Sequence, residues 1–139
     1  MRRTARENAF KLIFERLVNS GESKLSYVML SEKLEGDDRA FFDELVNGTV
    51  RERAFLSQKI AQYSSGYSLD RIYKIDLSIL LIATYEIIFL DDVPDKVSAN
   101  EAVELAKIYS TDHSPAFVNG LLATFIKNKE SIINERNAD

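Results

Sequence analysis

Cysteine is absent from the chain, which excludes a disulfide framework, a thiolate nucleophile and any cysteine-based metal site. The single histidine, His113, cannot build a multi-histidine metal centre. Two prolines and five glycines are too few for a turn-rich all-β design, which needs many punctuating residues. Long apolar runs are missing as well. The greasiest stretch, Leu77 to Leu90, is interrupted by Ser78, Thr84 and Glu86, and it falls short of the roughly 20 apolar residues that span a bilayer. The arginine-rich start lacks the apolar centre of a signal peptide. There is no glycine-rich phosphate loop of Walker type and no G-x-G-x-x-G. Asp112, His113 and Ser114 suggest a triad by composition only. Neighbours around a helix start point in different directions and do not align as nucleophile, base and orienter. The expectation is a soluble, cytoplasmic protein, not an enzyme, with no cofactor and no metal.

What remains is helical and charged. The chain has 139 residues, 45% hydrophobic and 29% charged, the size and balance of one ordinary domain. Its net charge of −4 argues against a general nucleic-acid coat, but the charge is unevenly spread. Residues 1–16 carry five cations against two carboxylates, a local +3, which leaves −7 for the rest of the −4 total. A basic corner on an acidic body suits local anion recognition and disfavours wrapping of a polyanion.

Helix signals follow in order. Thr4-Ala5-Arg6-Glu7 reads as a capping box, with Thr4 as N-cap and Glu7 reaching back. Phe10, Ile13, Phe14 and Leu17 then share one apolar face, and Asn19-Ser20-Gly21 ends the helix. A second helix is predicted from about Ser23 to Leu34, burying Leu25, Val28, Met29 and Leu30 and stopping at Gly36. A long helix runs from Asp37 to about Ser64 with Phe41, Phe42, Leu45, Val46, Thr49, Leu56, Ile60 and Tyr63 on one side. Gly48 inside it costs roughly 1 kcal/mol against alanine and points to a close helix crossing. Ser64-Ser65-Gly66 breaks the chain, and the division between two subdomains, about 1–65 and 66–139, is placed there.

Ser68 to Ile72 reads as a short helical turn. Lys74 to Phe89 is apolar nearly all round, as in a helix at the centre of a bundle, and Asp91-Asp92-Val93-Pro94 stops it. Ser98-Ala99-Asn100-Glu101 reads as a second capping box before a helix with Ala102, Val103, Ala106 and Tyr109 inward. Ser114-Pro115 reads as an N-cap followed by proline at the first helical position. The last helix buries Phe117, Val118, Leu121, Leu122, Phe125 and Ile126, then frays into a polar tail ending at Asp139. Strand signals and internal repeats are missing. The fold class is all-α, about seven helices in two packed three-helix-type bundles forming a single domain.

Three features bear on function. Glu86 lies within the apolar helix, and a buried carboxylate needs a cation or hydrogen bonds; Lys107 or a helix end is the expected partner. Arg2, Arg3 and Arg6 cluster at a helix N-terminus, where the macrodipole already places positive charge. Two readings stand: a solvated terminus whose arginines pair with the acidic body, or a site waiting for an external anion. A phosphate backbone is the natural external anion, and a guanidinium also stacks on unpaired bases. Finally, His113, Ser114 and Phe117 put a helix start beside an aromatic ring, able to bind a phosphate and stack a base, although Phe117 also suits the core.

Taken together, Arg2-Arg3-Thr4-Ala5-Arg6-Glu7-Asn8-Ala9, Ile82-Ala83-Thr84-Tyr85-Glu86, Asp92-Val93-Pro94, Asn100 to Lys107 and Phe117-Val118-Asn119-Gly120 resemble, in order and spacing, the NusB family of transcription antitermination factors. The resemblance covers nearly the whole chain. It implies an all-α fold and a role without catalysis: pairing with NusE, a small-subunit ribosomal protein, binding the single-stranded boxA element of nascent RNA, and helping RNA polymerase read through terminators, notably in ribosomal RNA operons. By motif position it implies that Arg2, Arg3 and Arg6 contact RNA, with His113, Ser114 and Phe117 near the same strand. Asp76 would lie at the NusE interface, and Phe14 at an aromatic position that supports binding. Some members are monomers and others homodimers, in which the RNA face is masked. The chain departs from the family pattern at four places. Leu80-Leu81 stands where Leu-Arg is common, Ala116 where lysine is, His113 where an acid is, and Ala123 where aspartate is. The changes at positions 81 and 116 remove cationic contacts and put more of the grip on the opening arginines.

Two rivals to this role follow from the same features. One is a helical protein-interaction module that does not itself grip RNA, consistent with the −7 outside the first helix. The other is an accessory resembling the NusB-like domain of some RNA methyltransferases, working in trans.

Overall fold

A computed structural model of the chain describes residues 2–19, 24–66 and 68–138. Its order is α1 (Arg2–Val18), α2 (Lys24–Ser31), α3 (Gly36–Gln62), a 3₁₀ turn (Leu69–Arg71), α4 (Lys74–Phe89), α5 (Asp95–Tyr109), α6 (Ser114–Lys127) and α7 (Lys129–Ala138). No strand occurs among the described residues, and the all-α expectation holds. The expected stop at Ser20-Gly21, the expected start at Ser23 and the terminal Asp139 lie outside the described residues.

The organising element is α4. Every residue from Asp76 to Ile88 is buried, and the helix touches α1, α3, α5, α6 and α7. This is the consequence of its all-round apolar sequence: a helix without a polar face is stable only when covered on all sides. Its two buried hydroxyl side chains of serine and threonine are satisfied within the helix, while Asp76, Tyr85 and Glu86 find partners on other elements. Ser78 and Thr84 each donate to the carbonyl four residues back, at 2.7 Å, so their hydroxyls need no external partner. Helices α1 and α3 cover one side of α4, while α5 and α6 pack on each other and cover another.

The crossing of α3 and α4 occurs at Gly48. A Cβ there would lie 2.0 Å from Cζ of Tyr85, far inside van der Waals contact, so only glycine lets the ring in. The Tyr85 hydroxyl donates to Glu44 and accepts from Arg51 at 3.2 Å. Burial, reinforced by Glu44, pushes its pKa up to about 12. Beyond α3, Ser65 and Gly66 both take positive φ, 56° and 92°, which ends the helix where the sequence suggested.

Several boundaries differ from the sequence reading. Helix α1 begins at Arg2, so Thr4 is not its cap. Glu7 does not reach back but accepts a 2.8 Å hydrogen bond from the Tyr109 hydroxyl of α5; the tertiary partner wins over the local one. Helix α5 begins at Asp95 with Pro94 as cap, so Ser98 is an interior residue. In α6 the cap is His113 and Ser114 is the first helical residue.

Helix α2 is rotated from the predicted orientation: of the four residues expected inside, only Leu30 packs against the core. Leu25, Val28 and Met29 are 69%, 52% and 64% exposed. The inward set is Tyr27, Leu30, Ser31 and Leu34, also at helical spacing, with Tyr27 packed on Phe42 at 5.8 Å and its hydroxyl donating to Asp43 at 2.6 Å. An aromatic ring with a polar handle takes the inside place over three aliphatic residues because it can fill the gap and satisfy its hydroxyl there.

The polar tail is also not frayed. It forms α7, pinned by buried Ile132 and by Lys129–Asp95, Lys59–Glu135 and Arg136–Glu52 ion pairs. No helix among the described residues is long and apolar enough to cross a membrane.

Candidate nucleic-acid interface

The first turn of α1 carries no acidic residue, although its amide groups and dipole favour one. The missing negative charge comes from elsewhere in the chain. Arg2 donates to Asp92 at 3.0 Å, and Arg3 donates through Nε to Glu101 at 3.0 Å. The Arg3 guanidinium is held above its ordinary pKa, first by this hydrogen bond and then by the charge of Glu101. Both side chains remain open to solvent, at 43% for Arg2 and 74% for Arg3.

Arg6 differs. Its side chain is 5% exposed and forms a two-pronged pair with Glu86, Nε to Oε2 and Nη2 to Oε1, both 2.8 Å. Ser98 donates a third hydrogen bond to Glu86 at 3.0 Å, and Nη1 of Arg6 lies 3.7 Å from Glu101. The partner of the buried carboxylate is therefore Arg6. Lys107, the expected one, is on the surface with Glu104 at 3.0 Å. Phe41 of α3 completes the arrangement: the guanidinium carbons of Arg2 and Arg6 lie 4.6 and 5.0 Å from its ring centre, within cation–π range. Of the two readings of the arginine cluster, the carboxylates of the acidic body do hold all three. Arg2 and Arg3 nonetheless stay at the surface, beside an open cleft of about 490 Å³ walled by Asp92, Val93, Pro94 and Val97.

A second cleft, about 390 Å³, lies where α4 and α6 begin. Arg71, Tyr73, Asp76, Thr111, His113, Ser114 and Phe117 are among its lining, so four residues that the sequence singled out meet here. Asp76 is buried, in the first turn of α4, and accepts hydrogen bonds from Ser110 and, at 2.9 Å, from Ser114. Thr111 and Ser114 share a 2.8 Å hydroxyl contact. Asp76 and Ser114 thus lock the start of α6 onto the start of α4 and form the floor. His113 is exposed at the helix cap and Phe117 is half-buried.

The arginines and this cleft are separate. Glu86 and Asp76 are ten residues apart on α4, about 15 Å at 1.5 Å per residue. Helix α5 and its C-cap serve both, with Glu101 at the arginines and the capping residue Ser110 at Asp76. Phe14 is half-buried on α1 against the core, away from the contacts described for either site. Leu81, where the family pattern often has arginine, is fully buried, whereas Ala116 is exposed.

Sequence reasoning missed Phe41, Asp92 and Glu101 as partners of the arginines, and Arg71 and Tyr73 as cleft residues. A usable signal existed for the first group. Asp92 and Glu101 both lie in quoted motifs, and three arginines at a positive helix end call for carboxylates.

The NusB family model matches residues 3–127. Curated relatives named transcription antitermination protein NusB include that of Clostridium novyi (strain NT), 44% identical over 91% of this chain and 98% of its own. That of Bacillus pumilus (strain SAFR-032) is 40% identical over 91% and 95%. Among solved structures, T. maritima NusB superposes with a TM-score of 0.87 at 28% identity, covering 96% of this chain and 97% of that one. A structure of the antitermination factors NusB and NusE in complex with dsRNA shares the fold, with a TM-score of 0.81 at 23% identity over 91% and 96%. The matched segment contains the second cleft, the Arg6–Glu86 pair and every described lining residue of the first cleft except Arg2, and it ends before α7. On these matches the chain belongs to the NusB family.

Proposed function

We propose that this protein is a transcription antitermination factor that pairs with NusE and binds boxA RNA, promoting read-through of terminators, notably in ribosomal RNA operons. It would work as a cytoplasmic adaptor in the RNA polymerase antitermination complex and do no chemistry itself. The observation that carries the RNA part is the arrangement of Arg2 and Arg3. Both sit at the positive end of α1, open to solvent, on a turn anchored from beneath by Arg6, Glu86 and Phe41.

The geometry supports an exchange mechanism. Asp92 and Glu101 hold the two guanidinium groups in place while no RNA is bound. An incoming backbone phosphate takes over the same donors, because its single charge and two free oxygens match the arginine fork as a carboxylate does, and several phosphates along one strand engage together. The Arg2–Asp92 pair is exposed, and such pairs contribute only about 0–1 kcal/mol, so releasing it costs little. Arg6 is a positioning residue: its donors are committed to Glu86, and it fixes the turn from which Arg2 and Arg3 reach out. In the second cleft, exposed His113 faces the strand and half-buried Phe117 lines the wall, while Ser114 and Asp76 set the floor. Asp76 then serves the NusE interface through the shape of the α4–α6 junction, and Phe14 through its half-buried place on α1. The two subdomains, about 1–65 and 66–139, are read as the two sides of α4, and a homodimer that masks the arginines would switch the RNA face off.

The rival reading, a protein-interaction module that leaves RNA alone, draws on the fact that the arginines already have carboxylate partners. Binding of boxA and scrambled single-stranded RNA, each with and without purified NusE, separates the two. The adaptor reading expects preference for boxA, strengthened by NusE. Tight NusE binding with no RNA bound under any condition would favour the rival.

A further inference from the structure

We propose that the cleft between the start of α4 and the start of α6 holds one unpaired RNA base, with Tyr73 as its stacking platform and Arg71 gripping the adjoining phosphate. The inference rests on the RNA reading above and adds two residues to it.

Tyr73 is the N-cap of α4 and is 63% exposed. Tyrosine at such a position leaves most of a large apolar ring in water, which the hydrophobic effect penalises unless something covers it. The ring lines the same cleft as Phe117, so two aromatic faces border one space. Arg71 ends the 3₁₀ turn at the rim. Unlike Arg2, Arg3 and Arg6, it makes no ion pair among the described residues, so its charge is uncommitted. His113 and Thr111 supply exposed polar edges.

The space suits a flat, polar-edged ring. Its volume of about 390 Å³ is at the small end of ligand sites, roughly 300–1,000 Å³. The floor is stiff, because Asp76 is tied to both Ser110 and Ser114. Aromatic faces with a nearby cation are the chemistry that holds single-stranded RNA, in which bases are splayed from the backbone and stacked. Position favours RNA over a protein side chain as the occupant. The cleft is about 15 Å along α4 from the arginines, so a strand held by Arg2 and Arg3 reaches it within a few nucleotides.

The test uses the full chain with NusE and single-stranded boxA RNA carrying 2-aminopurine at each position in turn. One position should be quenched on binding. Tyr73→Ala should abolish that quench and weaken RNA binding about five- to tenfold, the low end of what a base–aromatic stack contributes. Tyr73→Phe should preserve both, and Arg71→Gln should lower the salt dependence by about 0.7, one phosphate contact, while keeping the quench. Thermal unfolding should be unchanged in all three. Unchanged quench and affinity in Tyr73→Ala, with RNA still bound, would overturn the base site and leave the antitermination reading intact. Loss of NusE binding in place of the quench would reassign Tyr73 to the protein interface and also overturn it. Absence of RNA binding by the unmodified protein overturns both.

Discussion

Arg6 of α1 and Glu86 of α4 form a two-pronged ion pair 80 residues apart in sequence, with both 2.8 Å hydrogen bonds out of solvent. The pair fastens the basic end of α1 to the central helix, so the surface arginines and the core share one anchor. Removing one member leaves a buried charge without its partner, which typically costs about 3–5 kcal/mol. Glu86→Gln and Arg6→Ala should each lower stability by about that amount in denaturant unfolding. The double variant Arg6→Met/Glu86→Leu should recover most of the loss. A single variant as stable as the unmodified chain would contradict the anchoring role.

Asp92 competes with RNA for Arg2. Asp92→Asn removes the competing charge without disturbing the core, since the residue is exposed. RNA binding should tighten by about two- to fivefold, consistent with an exposed pair of about 0–1 kcal/mol. Fluorescence anisotropy at constant salt reads this directly, and weaker binding would sink the exchange mechanism.

Gly48 accommodates the Tyr85 ring. Gly48→Ala gains up to about 1 kcal/mol of helix propensity, but the methyl overlaps a buried ring, and overpacking costs about 1–3 kcal/mol. The net change should be destabilising. Paired with Tyr85→Leu, the same alanine should cost less, so a double-mutant cycle should show a clear coupling. Additive effects would mean that the crossing is set by other residues.

Helix α7 is held in part by Arg136 on Glu52. The Arg136 hydrogen bonds hold the Glu52 carboxyl below its usual pKa against the opposing effect of burial. A depressed carboxyl stabilises the fold at pH above its unfolded value, about 4.3, and that contribution disappears as pH falls through the lower folded value. Arg136→Gln should therefore cost about 1 kcal/mol at pH 7, given the half-exposed arginine. The gap between variant and parent should close in acid. Urea unfolding at pH 7 and pH 3 provides the comparison, and a gap that is constant with pH would rule out this linkage.

Periodicity was enough to read α3 and α4, because long apolar patterns leave one packing solution. Local rules failed where a distant partner outcompeted a neighbour. Ser98 and Glu7 fit capping boxes in sequence, yet each spends its side chain on another helix, Ser98 on Glu86 and Glu7 on Tyr109. In α2, two different sets of residues share helical spacing, and only the fit of Tyr27 against Phe42 and Asp43 selects between them. The same limit applies to the site. Charge and helix polarity located Arg2, Arg3 and Arg6 as a group, but the division into two surface residues and one buried anchor depends on Glu86, which is remote in sequence. Asp76 and Ser114 could not be joined by inspection because 38 residues separate them.

That division gives the most direct test. Each phosphate contact on single-stranded RNA contributes about 0.7 to the slope of the fall of log K with log salt, so Arg2 and Arg3 together account for about 1.4. The measurement is the difference in slope between the unmodified chain and Arg2→Ala/Arg3→Ala, on boxA RNA with NusE present. The account predicts a drop of about 1.4 with no loss of folded stability. An unchanged slope in the double variant would contradict it.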